Sequence, residues 1–158
     1  MIIAHRCNLE GKSDNENTLS GIINCINQGF SVEIDVRYID GKYYLGHDFP
    51  QEEISLFLMS SLCDRLFIHC KNIEALQQLR AYAELNIFGH SEDEFVITSR
   101  GDVFCSVGTV HDRTICVMPE LSNKPILIND IINCSHILTD YAYRYRDEIN
   151  NYHVRPEC

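Results

Sequence analysis

Positive charge is scarce in this chain. Lys and Arg together number 13 against 23 Asp and Glu, a formal net charge of −10. A general nucleic-acid groove and a general affinity for anionic membranes are therefore excluded, because both are built on basic surfaces. An anionic ligand would need a local positive site, from arginine, lysine or metal, set inside a negative field. No run of 18 apolar residues exists, which excludes a transmembrane helix. The opening Met1-Ile2-Ile3-Ala4-His5-Arg6 lacks the length and charge layout of a signal peptide. Eight cysteines are present, but none forms a Cys-x-x-Cys pair, and most sit in apolar runs such as Ile115-Cys116-Val117. Reduced, mostly buried thiols and a cytoplasmic location are the expectation, rather than a disulfide scaffold. Repeats, low-complexity tracts and interdomain linkers are also missing, so residues 1–158 read as one domain. Hydrophobic residues at 45% and charged residues at 23% are ordinary for a globular chain of this size.

What is present alternates between strand and helix. Residues 2–4 read as a short buried strand ending in His5-Arg6, followed by a polar loop over 8–16. Leu19, Ile22, Ile23 and Ile26 recur at helical spacing, with capping side chains at 15–18 before them and Gly29 after. Asp40-Gly41 marks a hairpin turn, and 42–45 returns as a strand toward Gly46-His47-Asp48. Residues 51–62 predict a helix, 66–71 a strand, and 73–84 a second helix capped by Asn72. Beyond 86 the elements shorten to strands at 86–88, 95–98, 103–106, 114–118, 126–128 and 137–139, then a helix over 141–150. This order predicts a parallel sheet with helices outside.

The most informative stretch is Phe30-Ser31-Val32-Glu33-Ile34-Asp35-Val36-Arg37. Val32, Ile34 and Val36 alternate with Glu33, Asp35 and Arg37, as in a strand. Two carboxylates two residues apart share a face and can reach one hard cation. Taken alone, the same pattern also suits a solvated edge strand. The neighbouring strands break the tie. Ionisable groups end the first strand (His5, Arg6), follow the return strand (His47) and end the next (His69, Lys71). In parallel sheets chemistry gathers at the carboxyl edge of the strands, and these groups would all lie there. Arginine and lysine suit phosphate oxygens, and two histidines suit proton transfer near neutrality. His90, His111, His136 and His153 read as surface or core residues, with His90 near the rim of the site.

Ile3-Ala4-His5-Arg6, Glu16-Asn17-Thr18, Glu33-Ile34-Asp35-Val36, Asp40-Gly41 and His47-Asp48, with a closing Leu138-Thr139-Asp140-Tyr141, resemble the glycerophosphodiester phosphodiesterase family. The resemblance is dense over 1–48, partial at 66–71 and thin from 86 to 135. It implies a TIM-type (β/α) barrel, here reduced or compact, with helices missing in the C-terminal half. It also implies metal-dependent cleavage of a phosphodiester such as a glycerophosphodiester or a lysophospholipid headgroup. By motif position, His5 and His47 are the acid/base pair, and Arg6 and Lys71 contact the substrate. Glu33 and Asp35 are metal ligands. His69 stands where the family has a third carboxylate and is read as a ligand too, to Mg²⁺, Ca²⁺ or Mn²⁺, with the nitrogen donor tilting preference toward Mn²⁺. Cys7 replaces a glycine and Asn15 a proline of the family pattern. The small anionic diester is the expected partner, and a barrel exterior left bare predicts a homo-oligomer. The alternative is a non-catalytic module that binds a phosphorylated ligand in the same pocket.

Overall fold

The computed structural model describes residues 1–154, with side chains through Tyr152. Expectations for the tail, for Cys158 and for the His153 side chain fall outside the described residues. Ten strands and five α-helices form a mixed α/β fold. The strands are β1 (Ile2–His5), β2 (Ser31–Ile39), β3 (Lys42–Leu45), β4 (Glu52–Ile54), β5 (Leu66–Cys70), β6 (Ile87–Phe88), β7 (Phe95–Ile97), β8 (Val103–Cys105), β9 (Ile115–Val117) and β10 (His136–Thr139). The helices are α1 (Leu19–Asn27), α2 (Leu56–Ser61), α3 (Ile73–Leu79), α4 (Ile128–Ile131) and α5 (Ala142–Val154). Pro119–Leu121 forms a single 3₁₀ turn.

The parallel part of the sheet runs β6-β5-β2-β1-β10-β9-β8. β7 pairs antiparallel with β8, and β3 and β4 form an antiparallel flap on the distal half of β2. The parallel run ends at β6 on one side and, through β8, at the hairpin strand β7 on the other, and no ladder joins β6 to β7. At that seam the sheet is not closed. The resemblance implied a reduced TIM-type barrel and left its closure open; strand pairing does not close it. The reason is local: β6 has two residues, and β7 is already half of a hairpin with β8. Side chains and a turn span the seam instead. Ser99 N donates to Ile87 O (2.8 Å), Ile87 N donates to Ser99 Oγ (2.9 Å), and the Phe88 and Phe104 rings stack 4.6 Å apart.

Two apolar clusters follow from strand alternation. Val32, Ile34 and Val36 join Ile22 and Cys25 of α1 and Ala75 and Leu79 of α3 beneath the helices. Ile3, Phe67, Phe88, Phe104, Ile115 and Leu138 meet on the other face of the sheet. Burying each large side chain contributes about 1.5–3 kcal/mol. Between Leu79 and Ile128 the described residues contain no α-helix, and Phe95, Ile97, Val107 and Leu121 stay exposed.

Three segments differ from expectation. Residues 52–54 pair with β3 as a strand, and only then does Ser55 cap α2 by accepting from Leu58 N. α3 ends at Leu79, where i→i+3 bonds from Tyr82 and Leu85 tighten the chain and carry Leu85 into the core. The run Ile126-Leu127-Ile128 is not a strand. Leu127 N donates to Asp130 Oδ2, which turns the chain into α4. The seven cysteines described are all unpaired, and no helix among the described residues is long and apolar enough to cross a membrane.

Candidate active site

Register decides which side chains meet. In the β1–β2 ladder His5 lies opposite Glu33, and in the β2–β5 ladder Asp35 lies opposite His69. Directly opposed residues on one face have Cβ atoms about 5 Å apart. Both pairs sit toward the carboxyl edge of the parallel strands, and His5, Glu33 and His69 border a cavity of about 840 Å³, which Arg6, His47 and Lys71 also line. Of the expected site residues, only Asp35 does not line the cavity; it lies buried just behind the wall.

His5 Nδ1 is 2.8 Å from Asp140 Oδ1, and its Nε2 is 4.0 Å from Glu33 Oε2. Burial would lower the histidine pKa, but the Asp140 hydrogen bond and the Glu33 charge outweigh it and raise it. Asp140 is held in turn. Asn8 Nδ2 donates to its Oδ1 (2.8 Å), and its backbone N–H donates to Glu120 Oε1 (2.9 Å). Glu120 therefore supports Asp140 from behind, also accepting from the Thr139 hydroxyl.

Glu33, Asp35 and His69 each offer one ligand atom within 4.8 Å of the others, and all three residues are buried. Burial and the neighbouring Asp35 charge push Glu33 up to about 7. Asp35 goes the other way. Burial opposes its ionisation, yet the His69 ring, the Arg6 guanidinium and an Asn17 hydrogen bond hold it below the usual carboxylate range. Asn17 makes two contacts: its Nδ2 donates to Asp35 Oδ2 (3.0 Å), and its Oδ1 accepts from Asp35 N (2.9 Å). Arg6 Nε lies 3.0 Å from Oδ2, and Lys71 Nζ lies 3.9 Å from Oδ1. His69 Nδ1 comes within 3.1 Å of Asp35 Oδ1, but Oδ1 has no aligned hydrogen bond. Burial lowers the His69 pKa despite that carboxylate, so the ring favours its neutral, ligating form. Two buried carboxylates and a neutral imidazole, with ligand atoms within 4.8 Å of one another, fit a divalent cation.

Backbone strain shapes the same edge. Arg6 (φ 50°) and Cys7 (φ 73°) are both left-handed, so Cys7 takes the conformation that glycine favours. The turn is locked by Arg6 N donating to Glu33 O (3.0 Å) and Asn17 N to Arg6 O (3.1 Å). At Gly46 (φ 138°) a Cβ would stand 2.1 Å from Phe49 O, so only glycine permits the loop that presents His47. Arg37 Nη2 donates to His47 O (2.5 Å), and His47 Nδ1 is 2.7 Å from Asp48 Oδ1.

Asp140, Asn8 and Asn17 take parts in this site beyond those read from the sequence, and His90, read near its rim, is part of its lining. Asp140 ends a strand like the other site residues, which was the available signal. Of the capping side chains read at 15–18, Thr18 caps α1 by accepting from Gly21 N, and Asn17 instead holds Asp35. His90 lines the cavity and stacks on His69, with centroids 4.7 Å apart and planes 11° apart. No family model, no curated protein and no solved structure matches the chain.

Proposed function

We propose that this site cleaves a phosphodiester by histidine acid–base catalysis, with a divalent cation held by Glu33, Asp35 and His69. The reading is carried by the cross-strand register, which sets His5 against Glu33 and Asp35 against His69 at one edge of one cavity. When bound, the cation supplies positive charge against the phosphoryl oxygens. The chain's own residues account for the rest. Asp140 and Asp48 engage the Nδ1 atoms of His5 and His47, which leaves each Nε2 to exchange a proton. One histidine takes the proton of the attacking hydroxyl as its oxygen bonds to phosphorus. The other delivers a proton to the departing alkoxide as the ester P–O bond breaks. Arg6 and Lys71 add a planar fork and a point charge beside the phosphate. Within this proposal the open sheet is a reduced TIM-type barrel that strand pairing does not close.

The test is turnover of a small chromogenic diester with and without divalent metal. His5→Ala and His47→Ala should each lower the metal-dependent rate by about 10²–10⁴ while leaving the protein folded. Near wild-type turnover in either variant would remove that histidine from the mechanism.

A further inference from the structure

The helix α1 meets the turn after β1 at close range. Its Gly21 faces that turn, and a Cβ there would stand 2.9 Å from Cys7 Cβ and 2.5 Å from Asn15 O. Cys25 lies one helical turn further along the same face of α1. Its Sγ donates to Cys7 O (3.4 Å), and the two thiols hydrogen-bond to each other. Both side chains are buried, and neither takes part in the proton transfer or the metal site described above. Cys7 holds its left-handed turn at φ 73°, a conformation that glycine adopts without strain. What cysteine adds there, and glycine lacks, is a sulfur bonded through hydrogen to a second sulfur.

We propose that Cys7 and Cys25 form a reversible disulfide that staples the Arg6–Cys7 turn to α1. The bond closes a loop over residues 7–25 that carries Asn8 and Asn17, whose side chains hold Asp140 and Asp35. The oxidised chain therefore holds these two carboxylates more firmly, since the loop no longer opens away from α1. The oxidant is a peroxide, small and uncharged, which reaches the buried pair as the loop opens. The Cys25 thiolate attacks one peroxide oxygen and the O–O bond breaks. Cys25 becomes a sulfenic acid, and the departing hydroxide takes up the proton that Cys25 gave off, as water. Cys7 Sγ then attacks the Cys25 sulfur, the S–S bond forms, and the hydroxyl leaves with the Cys7 proton as a second water. Two thiols are oxidised by two electrons, and one peroxide is reduced to two waters. The Cys7 hydrogen bond lowers the Cys25 pKa against the effect of burial, which favours the attacking thiolate there. The other hydrogen-bonded thiols, Cys116 and Cys134, are both raised, first by burial, and stay protonated.

In the experiment the full chain is reduced, freed of reductant and treated with hydrogen peroxide, and the remaining thiols are alkylated in denaturant. Two of the eight thiols should be lost. A digest should yield a peptide linking Cys7 to Cys25, and dithiothreitol should restore both thiols. Oxidation should also slow amide exchange over residues 8–17 by at least about tenfold, because closing the loop restrains its opening. Cys7→Gly is a change that the left-handed turn accepts, so this variant should fold. In Cys7→Gly and in Cys25→Ala no linked peptide should form, and peroxide should leave the exchange over 8–17 unchanged.

A chain that keeps all its thiols, or whose lost thiols map to Cys116 and Cys134 or to sulfinic acids, would overturn the disulfide. A Cys7–Cys25 bond that leaves exchange over 8–17 unchanged would overturn the staple. No readout involves turnover, so each result stands whether or not the site cleaves diesters.

Discussion

Residues 1–88 and residues 89–127 build their strands differently, and the candidate site residues lie mostly in the first. In the first region β1, β2 and β5 are buried on both faces, with α1 and α3 packed outside. Each site side chain there has a partner that orients it, as Asp140 does for His5 and Asn17 for Asp35. In the second region the strands are three residues long, the stretch itself contains no α-helix, and Phe95, Ile97, Val107 and Leu121 are exposed. Proton transfer and metal binding need groups held to within a fraction of an ångström, so they belong on the doubly buried strands.

Truncating the rigid half should show the largest effect. Asp35→Ala leaves Arg6 and Lys71 facing each other without their buried counter-charge, and breaking such a pair costs about 3–5 kcal/mol. Urea denaturation should show that loss, whereas Ile97→Ser on the exposed side of β7 should stay within about 0.5 kcal/mol. Equal costs at the two positions would erase the distinction between the regions.

Asp140→Asn comes next. Asparagine retains the size of the residue and a side-chain oxygen for the hydrogen bond, but loses the negative charge beside the histidine. Turnover of a chromogenic diester should fall about 10–100-fold, the usual cost of losing an orienting partner, with less than about 1 kcal/mol lost in stability. Unchanged turnover would make Asp140 a structural residue alone.

A smaller change follows at His69. Replacing the nitrogen donor with an oxygen donor in His69→Glu should move metal activation from Mn²⁺ toward Mg²⁺ or Ca²⁺. Identical activation profiles for wild type and variant would place His69 outside the metal shell.

The smallest effect lies at the opposite end of the strands. His136 packs edge-on to Phe67 with centroids 5.6 Å apart, and burial lowers its pKa below 6.5, aided by the N-terminal ammonium and opposed by Asp102. The unfolded chain therefore binds the proton more readily. The stability from a neutral His136 is complete above pH 6.5 and is lost as pH falls below it. In His136→Gln the denaturation midpoint should drop less between pH 7.5 and 5.5 than in wild type. Parallel slopes for the two proteins would refute that assignment.

Much of the site was readable because its residues lie in short motifs on strand ends. His5, Glu33, Asp35, His47, His69 and Lys71 all reach the same cluster and cavity region from such positions. Asp140 was harder to see, since its partner lies 135 residues away and only the β1–β10 ladder joins them. The segments at 52–54 and 126–128 were misjudged for another reason. Each is too short for periodicity to tell strand from helix, and a hairpin partner or a capping aspartate made the choice.

Alternation along Val32–Val36 determined by itself that two carboxylates would share a face, because side-chain direction in a strand depends only on the local backbone. It did not determine what that face would meet. Both faces of β2 proved to be buried, so Glu33 lines a cavity and Asp35 lies buried beside it, and neither faces open solvent. That outcome came from strand order and the curl of the sheet, which carry Phe104 and Leu138 to the far side of the same cavity. Those contacts join residues far apart in the chain. Their energy depends on the whole apolar surface buried together, a quantity that no local stretch of sequence contains.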